Sequence, residues 1–128
     1  MGLDMYLEGR KYKWGEQKSK EDGFPVSCVT LELGYWRKHP NLHGYIVQEF
    51  AGGEDDCRDV ELDERRLRDL LEAVRENRLP PTTGFFFGTS EESQRQRLKD
   101  VKVLTGAIRW LMKKDPDAIK SVAYRASW

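Results

Sequence analysis

The sequence predicts an α+β domain in which a mostly antiparallel sheet of about four strands packs against three helices. Four segments alternate apolar and polar residues with a period of two, which is typical of half-buried strands. Three other segments repeat apolar residues at helical spacing. The predicted order β-β-α-β-α-α-β lacks the regular alternation of a doubly wound parallel sheet. The 128 residues fit a single domain that spans 1–128.

The strand predictions depend on this alternation. Strands are predicted at residues 2–9, 26–33, 58–62 and 121–128. In the first strand, Leu3, Met5 and Leu7 share one face, as expected when a sheet is buried on one side. Gly34 is expected to end the second strand, and the polar segment 15–25 is expected to be a loop or a hairpin end.

The first and last segments are both predicted strands, so they can be neighbours in the sheet. That arrangement would bring Asp4 and Tyr6 close to Arg125 or Ser127. Trp128 continues the apolar face of the last strand, which predicts an ordered chain end.

The helices have recognisable start and stop signals. Pro40 suits the first turn of the first helix, and Gly52 with Gly53 ends it. Asp63 is placed to cap the second helix, whose apolar stripe consists of Leu67, Leu70, Leu71 and Val74. The stripe predicted for the third helix consists of Leu98, Val101, Leu104, Ile108, Leu111 and Met112.

The charge pattern argues against binding to duplex nucleic acid. Net charge is zero, and the 22 basic residues balance the 22 acidic ones. Residues 51–80 are acidic and residues 81–128 are basic, each by four charges. Proteins that neutralise DNA phosphates usually have a much larger basic excess. The sequence therefore gives no strong nucleic-acid signal.

The composition also bears on cellular location. No apolar run approaches the roughly 20 residues of a membrane-spanning helix, and the first residues lack the apolar core of a signal peptide. We expect a cytoplasmic protein with no membrane partner. Cys28 and Cys57 do not form a disulfide framework in that compartment, so one core thiol and one partly exposed thiol are expected.

The segment GYWRKHPNLHGY (34–45) is rich in aromatic and basic residues. Trp36 and Arg37 follow the expected strand end, and both residue types are common at binding hot spots. The alternative is that Trp36 packs over the sheet edge while Arg37 pairs with an acid. In GFFFG (84–88), Phe86 faces away from its two neighbours if the segment is extended. It is therefore either an exposed partner anchor or part of a lid on the core.

A second interpretation is enzymatic. If His43 lies near Asp55, Asp56 and Cys57, the four residues could form a catalytic cluster that holds a divalent metal or activates the thiol. The alternative is that His43 lies on the helix surface and the acids belong to a turn. His39 and His43 stand four residues apart, but Pro40 places His39 at the helix cap, which disfavours a shared metal site. We predict no bound metal for the domain.

Several motifs resemble a family of small proteins that recur in phages, prophages and other mobile elements. They are GLDMYL at the start, GYWRK followed by His43, DDC at 55–57, GFFFG at 84–88 and the final ASW. The resemblance implies a small intracellular protein and assigns no catalytic residue. No Walker A loop or dinucleotide fingerprint is present, and no cofactor is predicted. Together with Trp36, Arg37 and Phe86, this favours a non-enzymatic protein that binds a host or phage protein, with inhibition of a host defence protein as one form of that function. The oligomeric state is left open.

Overall fold

A computed structural model describes residues 2–13, 19–82, 94–116 and 118–128. Its elements are β1 (Asp4–Lys13), β2 (Lys20–Glu21), β3 (Phe24–Pro25), β4 (Cys28–Arg37), α1 (Pro40–Phe50), β5 (Val60–Glu61), α2 (Glu64–Arg75), α3 (Gln94–Met112) and β6 (Ala118–Ser127). The predicted α+β class and element order are confirmed. The short hairpin β2–β3 lies in the segment that was expected to be a loop or a hairpin end.

The main sheet has the strand order β4-β1-β6-β5, and all neighbouring strands are antiparallel. The first and last strands are paired, as the sequence predicted. Tyr6 lies opposite Arg125 on β6, and Asp4 lies opposite Ser127. On its other side, β1 pairs with β4, which places Tyr35 opposite Tyr6. The strand β4 is therefore one edge of this sheet.

The expected strand end at Gly34 is wrong, because β4 continues to Arg37. Gly34 faces α3, and a Cβ atom there would overlap the side chain of Val103. The glycine therefore allows close packing and does not end the strand. A bulge next to it leaves Leu33 without a register partner, because Leu7 pairs with Gly34 and Glu8 with Glu32.

This close packing gives a stability prediction. We expect Gly34→Ala to lower the free energy of unfolding by about 1–3 kcal/mol, because the added methyl group overfills a packed site. Gly106→Ala is the matched control, since a Cβ atom there meets nothing within 4 Å. In the middle of α3 it should stabilise the protein by about 1 kcal/mol. Urea unfolding of both variants measures the difference, and equal effects would contradict this packing.

The three helices cover the face of the sheet that carries Leu3, Met5 and Leu7. The predicted stripe of α2 is confirmed as buried, and the side chain of Asp63 accepts a hydrogen bond from the Arg66 amide as its cap. No helix in the described part of the chain is long and apolar enough to cross a membrane.

The stripe predicted for α3 is partly wrong, because Leu98 and Met112 are exposed. The helix instead buries Asp100, Leu104, Ala107 and Ile108. It is rotated toward Asp100 because this carboxylate accepts hydrogen bonds from the sheet side of the core. The expected core thiol is also wrong, since Cys28 and Cys57 are both exposed.

Candidate functional site

His43 lies in the buried first turns of α1. Its side chain is 3% exposed, so the alternative of a helix-surface histidine is wrong. Its Nε2 lies 2.9 Å from Asp55 Oδ1, and its Nδ1 lies 2.6 Å from the hydroxyl of Tyr124. A carboxylate only accepts hydrogen bonds, so Nε2–H donates to Asp55, and in the neutral ring Nδ1 then accepts from the Tyr124 hydroxyl. The three side chains form a hydrogen-bonded chain, which we call the Tyr124–His43–Asp55 relay.

Asp56 and Cys57 line the same narrow cleft as His43, Tyr124 and Trp128. The predicted proximity of His43 to the 55–57 segment is thus observed. The cleft encloses about 10 Å³, which is about the space needed by one water molecule. It has no room for a substrate unless the segment 54–58 moves.

The other two members of the predicted cluster do not complete a metal site. Asp56 forms an ion pair with Arg58 at 2.6 Å, which lowers the pKa of Asp56. Cys57 is exposed and has a φ of 62°, a conformation that non-glycine residues rarely adopt. Within the described ranges, no group of three or more histidine, cysteine, aspartate or glutamate residues is arranged to hold a metal ion.

Burial of Tyr124 gives a pH prediction. Desolvation, and secondarily the charge of Asp55, raises the pKa of Tyr124 well above 10. In the unfolded chain the phenol ionises near pH 10, so above that pH the unfolded state binds fewer protons and stability falls. Tyr124 is expected to lower the free energy of unfolding of the wild type by up to about 1.4 kcal/mol for each pH unit above 10. The variant Tyr124→Phe should lack this contribution. Unfolding free energies between pH 9 and 11 measure it, and identical slopes for both proteins would contradict the assignment.

A second buried cluster surrounds Asp100 of α3, which is 1% exposed. Its Oδ1 accepts hydrogen bonds from Trp36 Nε1 at 2.7 Å and from Gln96 Nε2 at 2.8 Å, and its Oδ2 lies 2.7 Å from His39 Nε2. His39 is the N-cap residue of α1, so the carboxylate joins α3, β4 and α1. His39 and His43 therefore contact different acids, and the two histidines do not form one site.

The indole of Trp36 belongs to the core. It is 2% exposed, so it does not offer the partner surface predicted for it, and the alternative of a packed tryptophan describes it better. Its backbone belongs to β4, which continues past the strand end expected at Gly34. Arg37 is exposed, as a partner-binding residue needs to be. Phe86 and the GFFFG segment lie outside the described residues.

The outer face of the sheet, opposite the helices, carries a group of aromatic and basic side chains. We call Tyr6, Tyr35, Arg37 and Arg125 the tyrosine–arginine patch. The two tyrosine rings lie 5.2 Å apart between centroids. The guanidinium of Arg125 lies 4.6 Å above the ring of Tyr6 and donates to Glu8 at 2.9 Å. All four side chains are exposed or half-buried.

The ring of Tyr35 is held in place. Its hydroxyl donates to Asp4 Oδ1 at 2.6 Å, and this hydrogen bond raises the pKa of Tyr35. Its backbone carbonyl accepts a hydrogen bond from Lys99 Nζ at 2.8 Å. An ordered ring of this kind loses little conformational entropy when a partner binds.

No protein-family model, curated protein or solved structure matches this chain. Functional inference therefore depends on the patch and on the Tyr124–His43–Asp55 relay.

Proposed function

We propose that this protein acts by binding a protein partner through the tyrosine–arginine patch. The observation that carries the proposal is the open outer face of the sheet, where Tyr35 and Arg37 are exposed beside the Tyr6–Arg125 stack. Tyrosine and arginine are among the residues that contribute most to protein–protein affinity. The resemblance to mobile-element proteins favours a host or phage protein as the partner, and inhibition of a host defence protein is the form of this function that we favour.

The charges around the patch favour protein over nucleic acid. Asp4, Glu8 and Glu32 lie on the same face, so a phosphate backbone would meet acids as well as arginines. A protein surface can present both signs of charge and match them.

The experiment is capture from a host lysate with four immobilised proteins: wild type, Tyr35→Ala, Arg37→Glu and the control Tyr12→Ala. Tyr12 lies on the same strand face as Tyr6 and is 46% exposed, but it is six residues, or about 20 Å, farther along β1. We expect one partner to bind the wild type and the control and to be lost with the two patch variants. A partner retained equally by all four proteins, or none recovered by the wild type, would contradict the proposal.

A small hydrolase or nucleotide-binding enzyme is the second candidate. It is favoured by the contact between His43 and Asp55 and by the shared cleft with Asp56 and Cys57. In such an enzyme His43 would be the base and Cys57 the nucleophile. Because the ring nitrogens of His43 now contact Asp55 and Tyr124, the segment 54–58 would have to move both to admit a substrate and to bring the thiol to the imidazole.

This second candidate has its own test. Wild type, His43→Gln and Cys57→Ser are assayed against a panel of ester, thioester and phosphoester substrates, with and without added Mg²⁺, Mn²⁺ or Zn²⁺. Turnover by the wild type that both substitutions abolish would support an enzyme. No turnover of any substrate, or turnover that survives both substitutions, would count against it.

A further inference from the structure

The outer face of the sheet carries two pairs of a tyrosine and a glutamate, and only one of these pairs holds a cation. On β1, Tyr6 and Glu8 lie on the outer face, and Arg125 from the adjacent strand β6 stacks on the ring and pairs with the carboxylate. On β4, Tyr35 lies opposite Tyr6 and Glu32 lies opposite Glu8. A row here means the residues that lie opposite one another across neighbouring strands. The strand β4 thus presents a second tyrosine in the row of Tyr6 and a second glutamate in the row of Glu8.

The second arrangement lacks a cation because β4 is the edge of the sheet. Arg125 reaches Tyr6 from the neighbouring strand, whereas no strand in the described part of the chain pairs with the outer side of β4. Among the described residues, no lysine or arginine lies within ion-pair distance of Glu32. The side chains of Glu32 and Tyr35 are both exposed.

We infer that Tyr35 and Glu32 bind an arginine or lysine side chain of the protein partner, in the way that Tyr6 and Glu8 bind Arg125. This inference rests on the proposed function and specifies the partner's chemistry. A cation over a tyrosine ring and next to a carboxylate gains from both contacts. Arg37, one row beyond Tyr35 on the same face, is then placed to meet an acidic side chain of the same partner segment.

The partner approaches the face of the sheet and does not extend its edge. Lys99 of α3 already donates to the carbonyl of Tyr35, so this backbone acceptor at the β4 edge is occupied, which disfavours further strand pairing at that point. The ring and the carboxylate remain available from the outer face.

A second copy of this chain is a poor occupant of the patch. In a two-fold dimer stacked about the centre of this face, Glu32 and Glu61 would lie opposite glutamates of the second copy. Like charges directly opposite one another oppose association. A partner with a basic side chain at this row has the complementary charge.

The test is selection of binders from a displayed library of random peptides on immobilised wild-type protein. We expect the enriched peptides to carry more arginine and lysine than the starting library. Glu32→Gln should weaken them about five- to tenfold, and Glu32→Arg should select acidic peptides instead. Glu61→Gln is the matched control, because Glu61 lies in the same row at the opposite edge of the sheet, about 14 Å away, and should have no effect.

The outcomes separate this inference from the proposed function. Binders that need Tyr35 but show no basic excess and tolerate Glu32→Gln would overturn the inference and leave the proposed function standing. Binders that tolerate Tyr35→Ala would contradict both. Recovery of no binder would also count against the inference.

Discussion

Asp100→Ala is expected to lower the free energy of unfolding by about 3–5 kcal/mol, a large share of the 5–15 kcal/mol typical of a domain. The carboxylate is almost fully buried and accepts from Trp36 and Gln96, and it contacts His39. Without it, the buried Trp36 indole and His39 imidazole lose this carboxylate as a hydrogen-bond partner in a part of the core that water does not reach. Urea unfolding measures the loss as a lower midpoint at an unchanged slope.

Asp100→Asn is the matched variant for this prediction. The amide keeps an acceptor oxygen for Trp36 and Gln96, so the expected loss is smaller, about 1–2 kcal/mol. A loss below about 1 kcal/mol for Asp100→Ala would show that the cluster does not hold α3, β4 and α1 together.

Tyr35→Ala is expected to weaken the complex with the partner by about 2 kcal/mol, or about thirtyfold. The ring is ordered by its hydrogen bond to Asp4 and by contact with Tyr6, so its contact area comes at little entropic cost. Because Tyr35 is exposed, its loss should leave the fold intact, which circular dichroism verifies.

Calorimetric titration of the purified partner measures this effect, with Tyr12→Ala as the control. The two tyrosines lie on the same face of the sheet, on neighbouring strands, with similar exposure, but only Tyr35 belongs to the patch. The control should change affinity by less than about threefold, within the range of peripheral contacts. Equal losses from both variants would mean that the patch has no special role.

Much of the fold could be predicted because it depends on local patterns. The alternation in β1, the capped stripe of α2 and the strand-like ends of the chain each point to one structure. Gly34 was misread because a glycine that breaks a strand and a glycine that admits a helix look the same in sequence. The exposure of Leu98 was not predicted for a related reason. The apolar spacing of α3 was used to assign its buried face, and a charged residue such as Asp100 is not counted in that spacing.

The functional residues were harder to predict because they depend on contacts between distant segments. The contact between His43 and Asp55 was predicted as one alternative. The contact between His43 and Tyr124, which is 81 residues later in the chain, was not predicted. Asp100 did leave a signal, since it stands four residues before Leu104 on the buried face of α3. Tyr35 was missed because the expected strand end at Gly34 removed it from the sheet.

The most direct test of the central claim is a map of backbone amide chemical shifts when the captured partner is added to labelled protein. The proposed function predicts that the largest changes fall on Tyr6, Tyr35, Arg37 and Arg125, with α2 unchanged. Largest changes at residues 54–58 and His43, with the patch unchanged, would contradict it and favour the enzymatic alternative.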